Sequence, residues 1–151
     1  MPRTTEAMSF VAADVELSQD GIDWVDLSPY STSIAVSGGD RRTGETNVFA
    51  DERPIVRAGK KGSQVLTIRF AYTEETDGPF KKARSWDDAE GGVMYARYWP
   101  GGKVAGNTLF DTGKGICTRF QDPGGEAGSG DPVLCEVQVT TEEISESTWV
   151  S

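Results

Sequence analysis

No histidine occurs in the 151 residues. Its absence excludes Ser-His-Asp and Cys-His nucleophilic catalysis, His-based zinc and iron sites, and the side chain that ordinarily titrates near neutrality. Most common enzyme mechanisms go with it, and no sequence feature calls for a cofactor; paired carboxylates could still serve a glycosidase, although nothing singles out a pair. Cysteine is nearly as scarce: Cys117 and Cys135 form no CxxC pair and read as buried small hydrophobes, with a disulfide as the alternative. No apolar run approaches the roughly 20 residues that span a bilayer, and residues 1–9 lack the apolar core of a secretion signal. The expectation is a soluble protein made in a cytoplasm, without membrane insertion. Phosphate-cradling loops are missing as well. Gly113-Lys114 has Thr108 where the first glycine of a Walker loop belongs and Gly115 where the hydroxyl belongs, and Gly59-Lys60 fails with Pro54 in the glycine position.

Positive charge is also in short supply. Fifteen Lys and Arg against 24 Asp and Glu leave a formal charge of −9, which lacks the basic footprint that sequence-independent binding to phosphate backbones requires. The deficit is uneven. Residues 1–30 carry −5 and residues 120–151 carry −7 with no Lys or Arg, so residues 31–119 carry +3. The positive charge is densest in Arg41, Arg42, Arg53, Arg57, Lys60 and Lys61. Solvated faces would account for such a division, and so would self-complementarity, in which the basic stretch of one copy meets an acidic edge of the next.

What the chain does contain is turn formers and alternation. Eighteen Gly and seven Pro favour a turn-rich β domain at a length suited to one domain, residues 1–151. In Leu66, Ile68, Phe70 and Tyr72 the apolar side chains recur at every second residue while Thr67, Arg69 and Thr73 take the other face; Val133, Cys135, Val137 and Val139 repeat this with Glu136, Gln138 and Thr140 opposite. Further strands are expected over 13–17, 22–27, 32–37, 93–99 and 116–120, with a reversal at Asp20-Gly21. Asp77-Gly78-Pro79 predicts a helix start, and Phe80, Ala83 and Trp86 at spacing three predict one short helix over about 79–90 laid on a sheet. Between the strands lies a long basic, Gly-rich loop, 38–62. Loops of such length in compact domains are uncommon and are usually functional or disordered, a mobile surface loop being the plainer reading.

Other chemistry is weakly represented. Asp20, Asp23 and Asp26, or Asp122, Glu126 and Asp131, supply hard oxygen ligands without EF-hand spacing, and solvated turn acids are the simpler reading. Trp24, Trp86, Trp99 and Trp149 suit either a sugar-binding platform or a core. A carbohydrate-binding β-sandwich module therefore stands as an alternative.

The order of elements resembles a known family. The hairpin SQDGIDWVDLS, the strand STSIAVSGG, the long loop ending RPIVRAGKKG, the strand VLTIRFAYTEE, a Pro-Phe-initiated helix, an aromatic strand followed by WPGGKVAGN, and a valine-rich strand closing with TTEEIS look like the major tail tube protein of siphophages. The likeness spans about residues 17–145, and related subunits occur in contractile tails and injection machines. It implies a mainly β fold of two packed antiparallel sheets, sandwich- or barrel-like, with one short helix and a long loop. It also implies a structural virion protein: hexameric rings stacked into a tube that conducts genome DNA. The implied partners are further copies, tape measure, tail tip or baseplate and terminator proteins, with DNA as passing cargo; the implied location is the virion tail, assembled in the bacterial cytoplasm. On this reading Arg41, Arg42, Arg53, Arg57, Lys60 and Lys61 belong to an inter-ring loop. Thr67, Arg69, Glu136 and Gln138 are candidates to line the lumen, where acidic groups would repel phosphates; Arg69 departs from an acidic lining, so it is paired or that face is not the lumen. A tail terminator or head decoration on a similar sandwich is a further alternative.

Overall fold

The computed structural model describes residues 13–49, 52–76, 78–128 and 130–150, so the expectations for residues 1–9 and for Asp77 fall outside the described residues. The strands are β1 (Asp14–Ser18), β2 (Trp24–Asp26), β3 (Ser31–Gly38), β4 (Arg41–Thr46), β5 (Ile55–Lys61), β6 (Gln64–Ala71), β7 (Val93–Trp99), β8 (Thr108–Asp111), β9 (Gly115–Gly124), β10 (Leu134–Thr141) and β11 (Ser145–Thr148), with one helix, α1 (Pro79–Asp88), before β7. Apart from β4 and β5 they form two antiparallel sheets, as the resemblance implies. One runs β3-β6-β10-β9-β7 and the other β2-β1-β7-β8-β11. The shared strand turns the corner between them: Val93 and Met94 pair with Ile116 and Gly115 of β9, while Tyr95–Trp99 pair with β1. A corner strand of this kind makes the sandwich barrel-like.

The core lies where the period-two pattern puts it. Leu66, Ile68 and Phe70 of β6 pack with Cys135, Val137 and Val139 of β10 and face Val15, Leu17, Met94, Ala96 and Tyr98 of the other sheet. Each large side chain so sealed from water contributes about 1.5–3 kcal/mol. Gly115 permits the corner, because a Cβ there would sit 2.6 Å from Val139 Cγ1 and 3.2 Å from the Met94 carbonyl oxygen. The helix begins with Pro79 at its first turn, as expected, and buries Pro79 and Ala83. Phe80 and Trp86 pack on the core beside it, Phe80 lying edge-on to Tyr72 at 4.9 Å. It ends at Asp88, two residues short of the expected 79–90, and a 3₁₀ turn at Glu90–Gly92 follows, with Gly91 at φ 82°.

One expectation is corrected outright. The segment 38–62 is not a loop: β4 and β5 pair antiparallel from Arg41↔Lys61 to Thr46↔Ile55, a projecting hairpin that forms a two-stranded sheet of its own. Gly38 and Gly39, at φ 81° and 79°, turn the chain out of β3 into it. Both cysteines are free, so the disulfide alternative is not realised.

Candidate assembly surfaces

The hairpin departs from the rest of the molecule in having two wet faces. All residues of β4 and β5 are exposed. Pairing puts Gly44, Thr46, Ile55 and Arg57 on one side and Thr43, Glu45, Val56 and Ala58 on the other, so an apolar and a charged side chain share each face. Phe49 near the tip is fully exposed and Val56 is 58% exposed. An isolated two-stranded ribbon is at best marginally stable in water. The six predicted cations divide along it, with Arg42 and Lys60 next to the root at the start of β4 and the end of β5. Arg41 and Lys61 sit at the root, where Arg41 Nη1 donates to the Gly59 carbonyl at 3.2 Å and Lys61 stands by Glu142 and Glu143. Arg57 lies farther out, and Arg53 precedes β5 near the tip. The ion pairs lie in the body: Arg69 and Arg119 with Glu136, Arg97 and Lys103 with Glu16, and Arg84 with Asp122.

Strand direction sets an opposite end. β3 runs toward the hairpin and β6 runs away from it, pairing Ala71 with Leu134 at the start of β10. Beyond that end lie exposed Glu74, Glu75 and Glu126. The hairpin thus carries six cations, with Glu45 and Glu52 among them and Glu142 and Glu143 at its root, and the opposite end carries Glu74, Glu75 and Glu126 beside Lys81.

The four residues singled out for a lumen do come together. In the register of β6 and β10, Arg69 opposes Glu136 and Thr67 opposes Gln138 on one polar face. Arg69 is paired: its Nε donates to Glu136 Oε1 at 3.0 Å, while Arg119 Nε lies 3.9 Å from Glu136 Oε2. The sequence gives no sign of Arg119, because a bulge in β9 between its Gln138 and Val139 pairings breaks the alternation there. The acidic lining expected of this face is not found. Glu136 is buried, with its side chain 8% exposed, between guanidinium groups whose side chains are 61% and 58% exposed. Both edges of the sheet are open: among the described residues β3 pairs with β6 alone, and β9 beyond its first two residues pairs with β10 alone.

On the outer face of the second sheet, Glu16 is buried and takes Arg97 Nη2 at 3.2 Å and Lys103 Nζ at 2.8 Å. Trp24 lies 3.9 Å from the Arg97 guanidinium, and Trp99 and Trp149 close around it at 5.1 and 5.2 Å. Three of the four tryptophans thus enclose an internal cation, the role a sugar platform would have required them to leave vacant. The turn acids are likewise engaged. Asp20 Oδ1 accepts from the Ile22 and Asp23 amides at 2.8 and 3.0 Å and from the Ser18 hydroxyl, bonds that hold its carboxyl below the usual carboxylate range.

No family model and no curated protein matches the chain. Solved structures do. The chain is similar to a subunit of the sheath-tube complex of an extracellular contractile injection system, PVC, in the extended state: TM-score 0.69, 12% identity, covering 95% of this chain and 93% of that one. It is similar to the tube-terminating cap of the anti-feeding prophage (TM-score 0.69, 12% identity, 98% and 95% covered) and to the PVC sheath/tube terminator (TM-score 0.64, 14% identity, 97% of each). At these identities the likeness establishes the fold, which is of the tail-tube type. The three belong to contractile systems, so they do not single out the siphophage family.

Proposed function

We propose that this chain is a non-enzymatic tail-type tube subunit whose copies close into rings and stack through the β4–β5 hairpin. One observation carries the reading: among the described residues nothing packs on this two-stranded ribbon, whose two wet faces each carry apolar and charged side chains, and a second copy is the surface that would cover it. The carboxylates at the opposite end of the body give the hairpin a complementary target. Hairpin-to-opposite-end contact is heterologous and does not close on itself, so it generates a filament. The open edges of β3 and β9 favour lateral pairing, since ring closure removes edges that otherwise invite aggregation.

The finer assignments follow the family resemblance. Rings are hexameric, the face bearing Thr67, Arg69, Glu136 and Gln138 lines the channel, and genome DNA is the cargo. Tape measure, tail tip or baseplate and terminator proteins are the partners in a virion tail assembled in the host cytoplasm. Purified protein, imaged by negative stain, is expected to show rings and hollow tubes, and Arg53→Glu with Arg57→Glu is expected to shorten or abolish the tubes while leaving the circular dichroism unchanged. A protein that stays monomeric at high concentration with tail-tip initiator present would overturn the reading. The likeness to a cap and a terminator favours one second reading, a ring that ends a tube; single rings that never lengthen would support it.

A further inference from the structure

The polar face of the β3-β6-β10-β9 sheet is anomalous in a chain of charge −9. Among the described strand residues on that face Glu136 is the one carboxylate, and it is buried between Arg69 and Arg119. Asp122, the next residue after Gln121, is turned to the other side, where it pairs with Arg84 against the helix. Glu142 lies six positions beyond Glu136, about 20 Å along an extended strand and about two Debye lengths at 0.1 M salt. What the centre of the face shows to solvent is therefore guanidinium, hydroxyl and amide, Arg69 and Arg119 with Thr67, Gln138 and the hydrogen-bonded Thr118 and Thr140, while exposed Leu134 and Ile116 lie at its two ends.

We infer that this face makes weak, direct contacts to the phosphate backbone of a nucleic-acid duplex through Arg69 and Arg119, with Glu136 fixing the two guanidinium groups in place and limiting their grip. The inference rests on the reading of this face as the channel wall, and it reverses the expectation of an acidic, repelling lining. Arg69 keeps its terminal nitrogens for other partners after its Nε bond to Glu136, and Arg119, whose Nε stands 3.9 Å from Glu136 and whose Nη2 donates to Gln121 Oε1 at 3.4 Å, keeps further donors, in the fork geometry that suits phosphate oxygens. Phe70, Tyr72 and Phe120 all pack on the core side, so the face has no stacking platform of the kind single strands need. The open edges of β3 and β9, by which a peptide could add as a strand, flank this face and are assigned above to lateral pairing of copies. Two contacts per copy with one internal counter-charge suit a surface past which a duplex slides, because binding by so few contacts is weak and easily released by salt.

The test is a titration of the ¹⁵N-labelled protein with a 20-base-pair duplex at low salt, following the Nε–H signals of Arg69 and Arg119 and the amides of β6, β9 and β10. The expected result is movement of these signals that disappears as salt is raised. Glu136→Gln should tighten the contact roughly threefold, the effect of removing one charge a few ångströms away in a wet site. Arg69→Gln with Arg119→Gln should abolish the movement on this face, lowering the salt slope of binding by about 2, while leaving hairpin signals unaffected. Movement confined to residues 41–61, or equal movement with a polyglutamate peptide of matched charge, would overturn the inference. Tube formation is scored separately: tubes with unmoved arginine signals sink this inference alone, whereas moved signals without tubes sink the channel reading.

Discussion

In β6, Leu66, Ile68 and Phe70 are sealed from water, whereas in β5 all seven residues are exposed, although the two strands are separated by only Gly62 and Ser63. The chain passes from one regime to the other within two residues. β6 is held by a strand on each side and a second sheet beneath it; β5 is held by β4 alone. A strand of the first kind owes its structure to its own chain, and a strand of the second kind has, among the described residues, only its hairpin partner. That contrast is the physical basis for separating a folding core from an assembly arm.

The largest way to break the comparison is Phe70→Ala, expected to destabilise the protein by about 4 kcal/mol in chemical denaturation through lost burial and the cavity left behind. Val56→Ala in the hairpin, of similar apolar character, should fall within about 0.5 kcal/mol of wild type. Equal losses at both sites would mean that the hairpin packs on the body. Next come the two arginine–glutamate pairs. Arg97→Met strips a partner from the buried Glu16 and removes a cation enclosed by tryptophans, and should cost about 3 kcal/mol, while Arg69→Met, which removes a guanidinium mostly in water and leaves Arg119 beside Glu136, should cost less, about 1–2 kcal/mol. Denaturation midpoints of the two variants decide this, and reversed ranks would contradict the burial that separates them.

The smallest effect concerns the thiols. Burial, with Asp87 beside it, pushes Cys117 up to about 12, and burial alone does the same for Cys135. Native protein should resist thiol-labelling reagents at pH 8 and react fully once unfolded. Neutral thiols favour the folded state, so their contribution is complete below the ordinary value of 9.0 and is lost as pH rises towards 12. Rapid labelling of both cysteines in the native state would show that the sheet containing β9 and β10 opens readily.

The elements that follow the two-residue alternation were legible from composition of the strands alone: β6, β7 and β10 lie within two residues of their expected bounds, and the hairpin at Asp20-Gly21 reverses where Asp-Gly predicts. The four misses have two causes. β4 reads RRTGET and β11 reads SEST, without an apolar face to alternate, and β5 exposes both faces; β8, which does pack on the core, has only four residues. Periodicity reports burial against the chain's own core, and strands without that burial, or too short to repeat it, do not register. The pairing of Arg69 with Glu136 followed once the register of β6 and β10 was known, but Arg119 depends on a bulge and Glu16–Arg97 on strands 81 residues apart. The basic middle segment was visible in the charge distribution, yet its form as a ribbon was not.

The central claim is that the hairpin joins copies and does not hold the fold together. It is tested most directly by imaging Ile55→Ser with Val56→Ser beside wild type at the same concentration and measuring tube length. The account predicts long hollow tubes from wild type and single rings or monomers from the variant, with identical denaturation curves. Tubes of wild-type length from the variant would contradict it.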